Sequence, residues 1–165
     1  MFDFAPSSIS DTPAGKASLY ADLLFAADSV MKGETDAIAN MANVAALLWQ
    51  FLPDLNWAGF YRHIEGELVL GPFQGKPACI RIPIGGGVCG TAAATMETQL
   101  VADVHAFPGH IACDAASASE LVVPITRDGR LLAVIDLDSP VPGRFDAHDA
   151  VGIEQLAVSL AKALP

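Results

Sequence analysis

From Lys16 to Met31, apolar residues recur at Tyr20, Leu23, Leu24, Ala27, Val30 and Met31, the spacing of one buried helix face, with Gly33 placed to end it. A second stripe, Ile38, Met41, Ala45, Leu48 and Leu52, runs up to Pro53. Near the C-terminus Asp146 is a good N-cap for a third helix that buries Ile153, Leu156, Ala157, Leu160 and Leu164. Between these helices the pattern changes to short β-type runs: NWAGFYRHI, ELVLGPF, ACIRIPI, TQLVADV, ELVVPIT and RLLAVIDLD. Glu65-Gly66 and Asp128-Gly129 mark turns between them. About six strands in series with short turns predict a mainly antiparallel sheet, with the N-terminal helices and the C-terminal helix packed on one face, an α+β layer. No repeat or linker divides the chain, so residues 1–165 are expected to form one domain, with 1–13 as a poorly structured N-terminal segment.

Composition narrows the setting. The chain has 165 residues, 52% hydrophobic and 17% charged, enough apolar material for a real core and somewhat more than a monomer needs. A homodimer would hide the excess. A formal charge of −10 repels nucleic acid and anionic membranes, which leaves a small molecule as the expected ligand. Nothing at the N-terminus reads as an export signal and no run approaches a membrane span, so a cytoplasmic protein is expected. There, three cysteines point away from a permanent disulfide framework.

Those cysteines are the first candidates for chemistry, because a thiolate is the strong nucleophile available at neutral pH. Cys113 stands in HIACDAASASE, a run too poor in bulky apolar residues for a core segment and therefore read as a shaped loop. Cys79 lies beside Lys76 and Arg81, and Cys89 lies among glycines in IPIGGGVCGTAA, read as a flexible loop because it lacks the ending of a phosphate-binding loop. Buried small hydrophobes are the plain alternative for all three. Cys79, Cys89, His110 and Cys113 can be drawn as a zinc shell, but the chain has no C-x-x-C knuckle and no metal is expected. Asp136 and Asp138 share a strand face with Leu132 and Val134. Glu120 opens the preceding strand as a third acid, and Trp57 and Tyr61 share a face of the first strand. Acids at the end of an apolar face often mean only that a strand has reached solvent, and such aromatics often belong to a core; the sharper alternative is a pocket for a small cationic ligand with an apolar tail.

Taken together, NWAGFY, GPFQGKPACIRIPIGGGVCG, DVHAFPGHIACDAASASELVVPI and AVIDLDS closely resemble the free methionine-(R)-sulfoxide reductases, single-domain enzymes on the GAF fold. The resemblance runs from about Trp57 to Phe145. It implies reduction of free methionine (R)-sulfoxide without a bound cofactor. Cys113 would be the nucleophile and Cys79 the cysteine that resolves its sulfenic acid as a disulfide for thioredoxin to reduce. Cys89 matches the third family cysteine. Glu120, Asp136 and Asp138 match the substrate-binding carboxylates, and Trp57 and Tyr61 the pocket wall. Gly86 departs from an arginine usual in the family, and Ala118 from an asparagine. A GAF module that senses a small ligand and catalyses nothing is the rival. The chemistry fits independently: a sulfoxide accepts a thiolate at sulfur only if its oxygen is protonated, and crowded carboxylates can keep a proton for that purpose.

If the three acids share a site, strand parity constrains the hairpin ELVVPITRDGRLLAVIDLDS. A two-residue Asp128-Gly129 turn with regular pairing puts Glu120 on the wrong face. A three-residue loop with Gly129 at positive φ pairs Thr126 with Arg130 and sets Glu120 opposite Asp136. The alternative is a compensating bulge, expected at Pro124.

Overall fold

The computed structural model describes residues 3–7, 9–109 and 115–164. Helix α1 spans Pro13–Met31 and α2 spans Ala37–Phe51. Thr12 and Asp36 cap them, their side-chain oxygens accepting from the Gly15 and Ala39 amides at 3.1 and 2.8 Å. Helix α4, Ala147–Ala163, opens with a capping box in which Asp146 and Asp149 each accept from the other's amide. These are the three helices expected, within a few residues at each end.

Six strands form one antiparallel sheet in the order β3-β2-β1-β6-β5-β4. They are β1 Trp57–Ile64, β2 Glu67–Gly75, β3 Arg81–Pro83, β4 Gln99–Val101, β5 Ser119–Arg127 and β6 Arg130–Ser139. Helices α1, α2 and α4 bury their stripes against one face, on Ala58, Phe60, Leu121, Val123, Ile125, Ala133, Ile135 and Leu137. The opposite face carries Trp57, Tyr61, Leu68, Ile82, Val122 and Val134 and is covered by a fourth helix, α3, Gly87–Thr95.

Helix α3 corrects the expectation of a flexible loop in IPIGGGVCGTAA. The glycine cluster concealed a helix start. A side chain at Gly90 would meet the Pro83 carbonyl at 2.4 Å, so glycine is what lets α3 lie close to β3, and the alanines that follow bury against the sheet. Cys89 therefore projects from a helix into the core, 4% exposed.

The β5–β6 hairpin also differs from expectation. The turn has two residues, with Asp128 at φ 52° and Gly129 at φ 73°, and Arg127 faces Arg130. Gly129 takes positive φ as expected, but in a shorter loop. The parity problem is solved by a bulge: Thr126 pairs with Leu131 and Ile125 with Ala133, leaving Leu132 extra on β6. Glu120 consequently faces Asp138, and Val122 faces Asp136. The bulge is in β6 and not at Pro124, because the turn already satisfies both arms and the slack is taken up beside it. It also reverses two neighbours. Leu131 joins the α3 side with Val134, while Leu132 packs with the helices on the other face, so Leu132 does not share a face with Asp136.

Candidate active site

The site lies on the α3 face. One row across the sheet reads Gly75, Trp57, Asp138, Glu120 and Val101 along β2, β1, β6, β5 and β4. In the next, Gly59, Asp136 and Val122 stand side by side. Parity thus brings all three acids and both aromatics to one surface, even though the pairing expected for Glu120 was one partner off.

The aromatic wall is a stack of three rings. Trp57 lies 5.8 Å from Tyr61 and 5.2 Å from Phe73, at interplanar angles of 22° and 13°. Sequence reasoning missed Phe73, although it falls inside GPFQGKPAC. Gly59 makes room for it, since a Cβ there would sit 2.4 Å from the Phe73 Cβ. The polar ends of two rings hold the segment that carries Cys79. Trp57 Nε1 donates to the Lys76 carbonyl at 3.2 Å and the Tyr61 hydroxyl donates to the Cys79 carbonyl at 3.0 Å. Beneath this segment a cavity of about 20 Å³ is lined by Trp57, Tyr61, Lys76, Ala78, Asp136 and Asp138. Cys79 itself is half-buried.

Glu120 and Asp136 are each 6% exposed, and Asp138 is half-buried. Burial, reinforced by the charges of Asp136 and Asp138, pushes the Glu120 carboxyl well above its usual range. Burial raises Asp136 as well, to about 6, but hydrogen bonds donated by the Cys89 thiol and by Glu120 restrain the rise. Burial and the negative charge of Asp136 keep the Cys89 thiol protonated. The proton therefore rests on Glu120 and the charge on Asp136, whose Oδ1 has no hydrogen-bond partner among the described residues. Ligand atoms of Cys89, Glu120 and Asp136 lie within 4.8 Å of one another.

Cys113 and His110 lie outside the described residues. The chain is anchored on either side of them. Phe107 packs into the α3-face core, and the Asn56 Nδ2 donates to the Ser117 hydroxyl at 3.0 Å. Ala118 takes part through its backbone alone, donating to the Ser139 carbonyl and accepting from the Val104 amide. Gly86 is the N-cap of α3 and offers no side-chain cap; a Cβ there would approach the Pro83 ring at 2.9 Å.

Residues 28–164 match the GAF domain family. The free methionine-R-sulfoxide reductase of Escherichia coli is 52% identical over 90% of this chain and 90% of its own, and that of Saccharomyces cerevisiae 44% over 89% and 86%. The X-ray structure of free methionine-R-sulfoxide reductase from Neisseria meningitidis in complex with its substrate superposes with a TM-score of 0.91 at 45% identity, covering 99% of this chain and 95% of that one. Fold and site are thus those of a GAF domain with a buried acid cluster under an aromatic wall. Within that class, the chain belongs to the free methionine-R-sulfoxide reductase family.

Proposed function

We propose that this protein reduces free L-methionine (R)-sulfoxide to methionine. The observation that carries the proposal is the gathering of Glu120, Asp136 and Asp138 on one surface of the sheet beside a stacked aromatic wall. The aromatic rings suit the methyl thioether end of the substrate. Asp136 and Asp138 suit its ammonium group, which a methionine inside a peptide lacks. The cavity has room for about one water molecule, so binding displaces part of its lining.

In the reaction, Cys113 as thiolate attacks the sulfoxide sulfur while Glu120 donates its proton to the oxygen. The adduct then collapses: the oxygen forms a bond to the Cys113 sulfur as the substrate's sulfur–oxygen bond and the new sulfur–sulfur bond break, giving methionine and a sulfenic acid on Cys113, so the substrate gains the two electrons that the cysteine loses. The Cys79 thiol then condenses with that sulfenic acid, releasing water and forming a Cys79–Cys113 disulfide. A thioredoxin dithiol reduces it, and no bound cofactor takes part. The protein acts in the cytoplasm, where that reductant is available, and a homodimer would cover part of its apolar surface.

Separate assays with the free R sulfoxide, the free S sulfoxide and a peptide-bound sulfoxide, each with thioredoxin and its reductase, test this. Turnover of the free R form alone is expected. Binding without turnover would mean a ligand sensor, and equal turnover of the peptide would remove the role given to the ammonium group.

A further inference from the structure

Cys89 is the site cysteine whose surroundings are described most fully, and they do not suit redox chemistry. It projects from α3 into the core shared with the sheet, and its sulfur sits with the Glu120 and Asp136 oxygens inside a 4.8 Å cluster. To form a disulfide it would have to leave a helix packed against β5 and β6 and abandon Asp136. It would also have to ionise among carboxylates, which disfavours the thiolate. Nothing else among the described residues donates to Asp136 except Glu120, and Glu120 cannot deliver its proton to a substrate and keep donating it to Asp136. A second donor solves that conflict.

We propose that Cys89 is a positioning residue and takes no part in the disulfide: its thiol, held by α3 within 4.8 Å of both carboxylates, turns its proton to Asp136 and so frees Glu120 to serve the substrate. This rests on the reductase function proposed above. The acid–base groups facing Asp136 are Cys89 from α3, Glu120 from β5, Tyr61 from β1, Asp138 from β6 and Lys76 from the segment before β3. Of these, Cys89 and Glu120 supply its hydrogen bonds. Removing the thiol takes away one of the two interactions that favour the ionised form, so Asp136 must hold its proton to higher pH.

The test uses Cys89→Ala and Cys89→Ser in the full chain. Carboxyl-carbon NMR, which needs no turnover, follows the Asp136 titration directly. Cys89→Ala is expected to move its midpoint up by about one pH unit, and Cys89→Ser, which keeps a donor, to move it less. In kinetics, the acidic limb of kcat/KM should shift up with it. KM should rise about twofold at pH 7 and about fivefold at pH 6 as the ammonium loses its ionised partner, with kcat changing less. Peptide mapping after one equivalent of sulfoxide without reductant should show Cys79 and Cys113 joined and Cys89 free. An unmoved Asp136 midpoint in Cys89→Ala, or a disulfide that contains Cys89, would overturn the proposal. Absence of turnover in the wild type would instead overturn the reductase function, leaving the NMR result to decide the role of Cys89 in holding Asp136 ionised.

Discussion

The hydroxyl of Tyr61 donates to the backbone carbonyl of Cys79 at 3.0 Å, so a residue of the aromatic wall also fixes the place of the proposed resolving cysteine. Tyr61 has the ring to close the pocket and the hydroxyl to hold its rim, and Tyr61→Phe separates the two. The phenylalanine keeps the stack on Trp57 and leaves the Cys79 carbonyl without this donor, a loss of about 1 kcal/mol or more. Methionine formation in a single turnover should change less than about threefold, while disulfide formation slows about fivefold to tenfold as Cys79 loses its poise. Stopped-flow measurement of the two steps checks this. Equal slowing of both would mean that the hydroxyl acts on the substrate and not on Cys79.

The cysteine variants separate the chemical steps. Cys113→Ser should abolish turnover, since a hydroxyl is a far weaker nucleophile than a thiolate near neutral pH. Cys79→Ser should form about one methionine per enzyme and then stall with Cys113 oxidised. Methionine release counted against enzyme concentration distinguishes them. Steady cycling of Cys79→Ser with thioredoxin would give the resolving role to another thiol.

The sheet and the three outer helices were legible because their signals are periodic and local: the stripe of α4 and the cap at Asp146 need no tertiary information. Helix α3 was not, because Gly85, Gly86, Gly87 and Gly90 read locally as loop residues, whereas the reason for Gly90 is a neighbour in space, the Pro83 carbonyl. The need for Glu120 and Asp136 to share a face was also legible, since parity admits few solutions. Which solution the chain uses was not: a bulge at Leu132 and a three-residue turn are equal in parity and differ only in packing, with Leu132 finding its place among the helices. The partner of Asp136 on α3 could not be read at all. Cys89 and Asp136 are far apart in the chain, and only the closeness of α3 to the sheet joins them.

Gly152 of α4 packs against Tyr20 of α1, and its replacement weighs two effects against each other. Alanine is the better helix former by about 1 kcal/mol. A Cβ at this position, however, would lie 2.2 Å from the Tyr20 ring. The ring cannot retreat, because its hydroxyl donates to Asp149 at 2.8 Å, and Asp149 also holds Lys16 at 2.7 Å in the same buried network. Overlap should win, and Gly152→Ala should lose roughly 2–4 kcal/mol of stability despite the gain in propensity. Urea denaturation measures the difference. An unchanged or raised midpoint would mean that α1 and α4 can part more easily than this network suggests.

The acid cluster should cost the fold stability at neutral pH, and the cost should have a sign and a window. Asp136 has a folded-state pKa of about 6 against an ordinary value of 3.8, so between those pH values the folded protein binds a proton that the unfolded chain has released. Folding is therefore favoured below about pH 4 relative to pH 8 as far as this group is concerned, and the advantage is lost as pH rises through about 6. The full difference corresponds to roughly 1–3 kcal/mol. Asp136→Asn removes the charge and keeps an oxygen to accept from Cys89 and Glu120. Measured against wild type, the variant should gain stability progressively from pH 4 to pH 7. Carboxylates with lowered pKa, such as Asp146 beside Lys16, contribute equally to both proteins and cancel in the comparison. The same substitution should cost most of the activity, because the uncharged side chain no longer attracts the substrate ammonium. Thermal melts of both proteins across this range check the claim, and a stability difference that does not change with pH would show that Asp136 is not held above its ordinary pKa.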